Sequence, residues 1–406
     1  MNEIERYLAK AAHQDTVRVG EDITIQVDTV AAHDVTAPMA IHQFADIETD
    51  HVFNQAKVML VLDHVYPAPT VQARKNHCQM AAFAKQYGVR YFGKGEGVIH
   101  QLIAEKGNLS RGSVLVAADS HTCTAGAYGV LAFGVGSTEA AAAMATGTLD
   151  IEVPPVQLIR LDGVLKPGVY AKDIILTLIG QFGTDGFTDQ GIIFAGSWVK
   201  NATLAEKMTI SNMTIEMGAM LSYFSELDDV GPVAVEQRFD VSTFVPVAAC
   251  PHSPGNVKPL AEVAGTPVTQ VVVGSCTNGR LSDMRDVAAV FAKAQVHPDV
   301  TCIVVPASAE VADAMDKEGL TKIIRDAGAT VTNPGCGPCY GGHMGLVTSA
   351  DTVASTTNRN FSGRMGATDA KVYLVSPRAA AEAAVAGTLV VPGTVTPLEG
   401  EESHGE

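Results

Sequence analysis

Aromatic side chains and charges are both scarce in this chain of 406 residues. Aromatic residues make up 6% of the sequence, with Trp198 as the single tryptophan, and charged residues make up 18%. No apolar run reaches the length of about 18 residues that a membrane-spanning helix needs, so no membrane partner is expected. Basic residues number 28 against 44 acidic ones, which gives a formal charge of −16. Because domains that bind nucleic acid are usually basic, this charge argues against a nucleic-acid partner.

The chain also lacks the signs of a secreted protein held together by disulfides. Its first residues, Met1 to Arg6, do not have the basic-then-apolar pattern of a signal peptide. The cysteines number seven, and an odd count does not suit a closed disulfide framework. We therefore expect a cytoplasmic protein whose thiols serve a metal or catalytic site.

Short apolar runs recur along the chain and predict an α/β fold. Each run stops at polar or small residues, and helical patterns follow, for example over 138–146 and 284–294. Runs of branched residues that are buried on both faces are typical of parallel sheets. The runs are 58–62, 114–118, 270–273 and 302–305.

Two proline-containing stretches divide the sequence into three predicted α/β domains. Pro154-Pro155 and residues 251–255 are the best linker candidates, and they separate units of ordinary domain size. The predicted domains are 1–153, 154–252 and 253–406. Residues 399–406 form an acidic tail that we expect to be disordered.

Polar side chains follow several of the predicted strands. The sequences Asp63-His64, Asp119-Ser120-His121 and Gly274-Ser275-Cys276 all come directly after apolar runs. Any one of these groups is compatible with a capping role for the next helix. The carboxyl ends of parallel strands are, however, where sites form in such sheets, and several polar ends together favour a functional site.

Three of the cysteines have a spacing that suggests a metal centre. Cys336 and Cys339 form a Cys-x-x-Cys pair on a loop rich in Gly and Pro, and Cys276 lies 60 residues before Cys336. The pair alone is compatible with a zinc half-site, a redox dithiol or half of an iron–sulfur site.

The number of available ligands helps to choose among these sites. A structural zinc site needs a fourth ligand, and a redox dithiol has no use for Cys276. A 4Fe–4S cluster held by three cysteines leaves one iron open to act as a Lewis acid, whereas electron-transfer clusters normally use four cysteines. Three unrelated buried thiols are the remaining alternative.

At this point the sequence resembles a known family. Gly274–Arg280 and Cys336–Cys339 look like the two cluster signatures of the aconitase superfamily. The resemblance extends from about Asp34 to about Pro377, and it is nearest to the short large subunits of 3-isopropylmalate dehydratase and homoaconitase. Further segments agree in order, namely Asp63-His64, His100-Gln101, Asp119–Thr122, Asn212–Glu216 and Ser355–Arg364.

The resemblance implies a hydro-lyase built from three α/β domains with parallel sheets around a central 4Fe–4S cluster. Cys276, Cys336 and Cys339 would hold this cluster, and one iron would have no protein ligand. The residues implied in catalysis are Asp63, His64, His100, Asp119, His121 and Glu216. Those implied in binding a hydroxy-dicarboxylate or tricarboxylate substrate are Ser120, Asn212, Arg359 and Arg364.

Physical chemistry supports these implied roles. Hydroxide is a poor leaving group, so Lewis-acid activation combined with a general acid is an economical way to expel it. An aspartate such as Asp63 keeps its histidine partner in one tautomer. A guanidinium binds a carboxylate through two parallel hydrogen bonds, which suits Arg359 and Arg364.

The resemblance also implies a partner. Single-chain aconitases carry a fourth, swivelling domain that supplies the catalytic base, and the residues after Arg364 are too few to form it. A separate small subunit is therefore expected, in a heterodimer or heterotetramer.

Departures from the family pattern leave the substrate open. Pro38 stands where aconitases proper have a glutamine, and Lys207 replaces a frequent arginine. The stretch 225–243 is shorter than in typical isopropylmalate enzymes. The expected activity is that of 3-isopropylmalate dehydratase, in leucine biosynthesis. The alternatives are homoaconitase, methylmalate or 2,3-dimethylmalate dehydratase and a maleate-type hydratase.

Hypotheses of other classes fit the sequence less well. One branch of the superfamily binds RNA, but the charge of −16 argues against this. An electron carrier would have no use for the arginines and histidines. A non-catalytic scaffold that binds a cluster is the remaining alternative, and the intact acid–base residues argue against it.

Overall fold

The computed structural model describes residues 1–393, so the predicted acidic tail lies outside the described residues. The part of the chain before residue 154 contains a five-stranded parallel sheet in the order β4-β3-β2-β5-β6, and β1 and β7 form a separate antiparallel pair. The strands are β1 (Asp22–Gln26), β2 (Thr29–His33), β3 (Val58–Val61), β4 (Arg90–Phe92), β5 (Val114–Ala117), β6 (Leu131–Gly134) and β7 (Thr148–Glu152). The helices are α1 (Glu3–Ala11), α2 (Ala37–Asp46), α3 (Val71–Tyr87), α4 (Ile99–Lys106) and α5 (Ser137–Thr146).

A second parallel sheet follows, with four strands in the order β10-β9-β8-β11. Its strands are β8 (Val156–Asp162), β9 (Gly191–Ala195), β10 (Leu221–Phe224) and β11 (Val235–Asp240). The helices of this part are α6 (Ala171–Phe182), α7 (Ser197–Asn201) and α8 (Leu204–Asn212).

The third sheet has seven strands in the order β13-β12-β18-β17-β14-β15-β16, and it is parallel except for the two pairings of β12. Its strands are β12 (Val247–Ala249), β13 (Val257–Pro259), β14 (Gln270–Gly274), β15 (Thr301–Val305), β16 (Thr330–Val331), β17 (Thr352–Ser355) and β18 (Lys371–Leu374). The helices are α9 (Leu260–Val263), α10 (Ser275–Asn278), α11 (Leu281–Phe291), α12 (Ala309–Lys317), α13 (Leu320–Asp326) and α14 (Pro377–Ala386). Short 3-10 helices cover Gln55–Lys57, Ser120–Tyr128, Thr214–Met217, Val241–Thr243 and Gly337–Tyr340.

The buried strands explain why the sequence forms this architecture. Strands β3 and β5 are buried at every position, as the continuous apolar runs predicted. Each fully buried Val, Leu or Ile side chain contributes roughly 1.5–3 kcal/mol to folding. One hydrophobic core joins the first sheet to the second, and another joins the second sheet to the third. The three sheets therefore pack on each other through shared cores.

The predicted α/β class with parallel sheets is confirmed. The four predicted strands are present as β3, β5, β14 and β15, with ends within one residue of the prediction. Strand β12 lies before the predicted boundary at residue 253 but belongs to the third sheet, and the three-domain division stays a prediction. Within residues 1–393, no helix is both long enough and apolar enough to span a membrane.

Candidate active site

The three cysteines of the predicted metal centre line one cavity of about 270 Å³. Cys276 lies on α10, directly after β14, where Gly274 has a φ of 127°. A Cβ atom on Gly274 would lie 2.0 Å from the carbonyl oxygen of Val305, so this turn requires glycine. Cys336 and Cys339 lie at the start of and within the 3-10 helix Gly337–Tyr340. All three cysteines are buried.

Hydrogen-bond donors surround the sulfur atoms. The side-chain amides of Asn212 and Asn358 donate to Cys276 Sγ, over 3.3 and 3.4 Å. Arg364 Nη2 donates to Cys339 Sγ over 3.9 Å, whereas the Cys339 thiol itself donates to Asn358 Oδ1 over 3.5 Å. Donors of this kind stabilise thiolates, which are the form of cysteine that binds metal. The set of sulfur atoms and their neighbours is therefore suited to a metal centre.

The thiols differ in their tendency to ionise in the metal-free chain. Burial raises the pKa of Cys276 to about 11. The hydrogen bond with Cys336 holds the pKa of Cys339 well below its usual value, and the positive charge of Arg364 acts in the same direction. The pair of Cys336 and Cys339 thus favours one thiolate, and Arg364 stabilises its negative charge.

Asp119 is the centre of a histidine network that lines the same cavity. One carboxylate oxygen, Oδ2, lies 3.1 Å from His33 Nε2 and 4.0 Å from His64 Nε2. The other, Oδ1, lies 2.8 Å from His100 Nε2 and accepts the backbone N–H of His121 over 2.6 Å. Burial opposes the charge of Asp119, but these histidines lower its pKa well below the usual value. Asp119 is therefore an anion that holds several imidazoles in place.

His64 is held by Asp63 on its other ring nitrogen. The distance from His64 Nδ1 to Asp63 Oδ1 is 2.6 Å, and Asp63 Oδ2 accepts the backbone N–H of Ile99 at the start of α4. Burial lowers the pKa of His64, but the charges of Asp63, Asp119 and Asp34 and the hydrogen bond with Asp63 together outweigh it and raise the pKa to about 9. His64 is thus protonated near neutral pH and has a proton to give.

The same aspartate connects the acid–base group to the cysteine loop. The backbone carbonyl of Asp63 accepts a hydrogen bond of 3.0 Å from the N–H of Cys336. A Cβ atom on the preceding residue, Gly335, would lie 2.7 Å from that carbonyl oxygen. The close approach fixes the position of the thiol loop relative to the histidine network.

Glu216 lies behind the cavity wall and joins His121 to Arg359. Its Oε1 atom lies 3.0 Å from His121 Nε2 and 2.6 Å from Arg359 Nε. Burial opposes ionisation of Glu216, but the hydrogen bond to His121 and the charges of both partners lower its pKa. Arg364 differs, because within residues 1–393 it forms no salt bridge with a carboxylate. Its guanidinium is available to an anionic ligand.

The structure therefore brings the predicted site residues together in one region. Asp63, Asn212 and Glu216 do not line the cavity but bind residues that do. The roles of these residues stay predictions. The predicted residues that line the cavity are His64, His100, Asp119, Ser120, His121, Cys276, Cys336, Cys339, Arg359 and Arg364.

Several contributors were missed in the sequence. His33 ends β2, binds Asp119 and stacks on His64 with ring centroids 3.9 Å apart. The run Thr29–Ala32 followed by His33 has the same strand-end pattern as the other sites, but two alanines make the strand inconspicuous. Asn358 contacts two cysteines, and it was noted only as part of a segment.

A buried group of His33, Asp34, Asp63 and His64 is compact enough to hold a metal ion, but each member already has another partner. Their potential ligand atoms lie within 4.8 Å of one another. Asp34 accepts the backbone N–H groups of His64 and Val65, and Asp63 binds His64. These contacts explain the group as the framework of the histidine network.

The positions that depart from the family pattern lie away from the lining residues. Pro38 is in the first turn of α2, where its carbonyl accepts a hydrogen bond from Gln79. Lys207 is on α8. Neither residue lines the cavity, whereas Thr36, close to Pro38 in the chain, does.

Three buried thiols and a histidine–aspartate network lie together at the ends of parallel strands, as expected for a hydro-lyase of the aconitase type. The chain belongs to the Aconitase family (aconitate hydratase), whose profile matches residues 6–231 and 231–387. Membership of this family implies a 4Fe–4S cluster as the cofactor. The three buried thiols and the amide and guanidinium donors around them fit such a group.

Curated relatives are similar over nearly their whole length. The probable 3-isopropylmalate dehydratase large subunit of Methanothermobacter thermautotrophicus is 42% identical, over 96% of this chain and 98% of the relative. The 3-isopropylmalate dehydratase large subunit of Halothermothrix orenii is 39% identical, over 97% of this chain and 99% of the relative.

A solved structure supports the fold. The aconitase X of Thermococcus kodakaraensis, in its holo form, matches with a TM-score of 0.54 over 87% of this chain and 89% of that chain. The sequence identity is 11%, so this likeness concerns the fold alone.

Proposed function

We propose that the chain is the large subunit of a 3-isopropylmalate dehydratase, a hydro-lyase that interconverts 2-isopropylmalate and 3-isopropylmalate in leucine biosynthesis. The observation that carries the proposal is the convergence on one cavity of three thiols, an aspartate-centred histidine network and two arginines. The names of the relatives that are about 40% identical support the same activity.

Cys276, Cys336 and Cys339 are the proposed ligands of the cluster, and one iron is left without a protein ligand. The donor set supports this assignment, because three sulfur atoms converge and no other described cysteine lines the cavity. When bound, the cluster supplies an open iron that acts as a Lewis acid on the substrate hydroxyl and carboxylate.

His64 is the proposed donor of the proton that the leaving hydroxyl requires. Its Nδ1 atom is held by Asp63, while Nε2 lies 4.0 Å from Asp119 and belongs to a side chain that lines the cavity. The pKa of about 9 keeps the proton on the ring until the hydroxyl departs. His33, His100 and His121 hold Asp119, which in turn stabilises the imidazolium form of His64.

Arg364 and Arg359 are the proposed clamps for substrate carboxylates. Arg364 has no carboxylate partner in the described chain, so a substrate carboxylate can neutralise its charge. Arg359 is oriented by Glu216 through Nε, which leaves its terminal nitrogens for the ligand. Ser120 lines the same cavity, and Asn212 acts through its hydrogen bond to Cys276.

A separate small subunit is the proposed partner, in a heterodimer or heterotetramer. The relatives support this because they are named large subunits and this chain covers 98–99% of their length. The swivelling domain of the partner would supply the base that removes the carbon-bound proton, and it would close the cavity against water.

The test combines the chain, its cluster and its partner. The chain with a reconstituted cluster should have negligible dehydratase activity alone and should become active with a cognate small subunit. The assay compares 2-isopropylmalate with homocitrate-type, methylmalate and maleate substrates by absorbance of the unsaturated product. Full turnover by the chain alone would contradict the partner proposal. A preference for another diacid in the complex would instead reject 3-isopropylmalate dehydratase as the specific activity.

A further inference from the structure

A buried lysine forms no salt bridge with any carboxylate of residues 1–393. Lys172 lies in the first turn of α6 and has no exposed surface. Its Nζ atom donates to the backbone carbonyls of Thr356 and Thr357, over 2.7 and 2.5 Å. A buried ammonium that is not paired with a negative charge costs several kcal/mol. Its position at the positive end of a helix adds to this cost.

The buried carboxyl groups of this region do not bind Lys172. Asp173 accepts backbone N–H groups of Val247 and Tyr170. Asp283 accepts the backbone N–H of Arg280 and the side-chain amide of Asn278. Burial raises the pKa of both carboxyl groups, that of Asp173 to about 7. Neither carboxyl group makes a direct hydrogen bond or salt bridge with Lys172, so their charges act on it only from a distance.

Further negative charge would come from the thiolates that hold the cluster. Burial lowers the pKa of Lys172 to about 7, and negative charge on Cys339 and Cys276 is the strongest effect that opposes the decrease. A cluster bound by three thiolates is anionic overall, so it would favour the ammonium form of Lys172 further.

The backbone that Lys172 holds leads directly to the cavity. Thr356 and Thr357 follow β17 and precede Asn358 and Arg359. Asn358 contacts both Cys276 and Cys339, and Arg359 lines the cavity. Lys172 thus interacts electrostatically with the thiols. Its hydrogen bonds hold the segment that contains Asn358 and Arg359.

We propose that Lys172 is a positioning residue whose buried positive charge compensates the anionic cluster and raises its reduction potential, while it holds the segment of Asn358 and Arg359. The proposal rests on the ligation of the cluster by Cys276, Cys336 and Cys339 proposed above. Reduction adds negative charge to the cluster, and a nearby cation stabilises that charge. Removal of the cation should therefore make reduction harder.

Three substitutions separate the charge of Lys172 from its hydrogen bonds. Lys172→Gln keeps N–H donors but loses the charge, and Lys172→Met loses both. Lys172→Arg keeps the charge. Lys200→Met is the matched control, because Lys200 is a lysine of the same part of the chain that is partly exposed and paired with Asp228. The chain is reconstituted with iron and sulfide, and the potential is measured by a redox titration followed by electron paramagnetic resonance.

In the two neutral variants, the ratio of reduced to oxidised cluster at a fixed potential should be about tenfold lower. For a one-electron couple this corresponds to a shift of about 59 mV to lower reduction potential. Lys172→Arg and Lys200→Met should keep the original potential. Loss of the cluster from both neutral variants but not from Lys172→Arg would also support the proposal, because charge is what separates these variants.

A full cluster with an unchanged potential in either neutral variant would overturn the proposal, and so would loss of the cluster from Lys172→Arg as well. If Lys172→Met does not fold, as judged by circular dichroism, the Lys172→Gln variant decides. The readout does not depend on turnover. A failure of the proposed function would be distinct, since the unsubstituted chain would then not bind iron through its thiols.

Discussion

At the scale of single residues, the two arginines of one loop have different partners. Arg359 is paired with Glu216, whereas Arg364 lies beside Cys339 and has no carboxylate partner in the described chain. Pairing with a buried acid restricts the orientation of a guanidinium, and the lack of such a pair leaves the charge for a ligand. Arg364 is therefore the better residue with which to test the proposed carboxylate clamp.

Arg364→Lys should weaken catalysis without removing the cluster. Lysine keeps the positive charge but loses the planar fork that binds a carboxylate through two hydrogen bonds. A charge-assisted contact of this kind is worth a few kcal/mol, so kcat/KM should fall roughly 10²–10³-fold. The measurements are steady-state rates of the reconstituted complex on each candidate diacid, together with an iron count.

Cys339→Ser is the matched comparison for this variant. Serine removes a proposed thiolate ligand, so iron binding should fall while the clamp residues remain. Near-normal kcat/KM for Arg364→Lys on every diacid would mean that this arginine is not the clamp. Iron loss from Arg364→Lys as severe as that from Cys339→Ser would show that Arg364 acts mainly on the thiol loop.

Most residues that come together at the candidate site could be proposed from the sequence, because they stand in short, unusual motifs. The Cys-x-x-Cys pair and the polar residues after apolar runs are visible in a linear pattern. His33 and Lys172 are not visible in this way. A single histidine or lysine has no distinctive spacing, and its importance comes from contacts with residues 86 and 184 positions away. Such contacts arise only when the sheets pack against each other.

At the scale of elements, the active site depends on tight turns at the ends of strands. The change from β14 to α10 occurs at Gly274 and Ser275, and both have φ in the left-handed region. Only glycine adopts the conformation of Gly274 without strain, and here the close carbonyl of Val305 also excludes a side chain. The turn directs Cys276 into the cavity rather than along the strand.

Gly274→Ala should therefore displace Cys276 and impair iron binding. The added Cβ atom would lie 2.0 Å from Val305 O, so β14 and β15 must separate or the turn must change. We expect a destabilisation of about 3 kcal/mol or more, of the order seen for backbone strain combined with overpacking. Thermal unfolding of the apo chain and an iron count after reconstitution measure the two effects.

Gly265→Ala provides the control for this substitution. Gly265 also has a positive φ, of 85°, but a Cβ atom there would meet no atom within 4 Å. The Gly265→Ala variant should lose only about 1 kcal/mol of stability, because alanine disfavours the left-handed conformation, and it should still bind iron. Equal iron binding by the two variants would show that the approach of Gly274 to β15 is not needed to place Cys276.

The elements themselves could be predicted only where burial leaves a clear pattern. Strands β3, β5, β14 and β15 lie inside parallel sheets and are apolar throughout, so their sequences revealed them. Strands β12 and β13 have three residues each and pair antiparallel at a sheet edge. Segments of that length contain too few residues for a periodic pattern, and their pairing depends on the tertiary fold.

At the scale of the whole molecule, the cavity is formed by parts of the chain that are far apart in sequence. The first sheet contributes the histidine network, the second supports Glu216 on the helix Thr214–Met217, and the third contributes the thiols and arginines. Hydrophobic cores shared between the sheets hold these contributions together. The geometry of the metal centre is therefore a property of the assembled chain.

The iron content of this assembled site is the last prediction. Three thiolates can hold three irons of a 4Fe–4S cluster and leave the fourth without a protein ligand. Anaerobically reconstituted chain should bind about four irons, and mild oxidation should release about one, with a change in the electron paramagnetic resonance signal. The fourth iron should return when ferrous iron and a reductant are added, because its loss leaves the three thiolate contacts intact. Cys302→Ser is a suitable control, since Cys302 is buried in β15 away from the cavity lining. A stable stoichiometric zinc ion in active protein purified in air, or retention of all four irons after oxidation, would contradict the prediction that one iron is open.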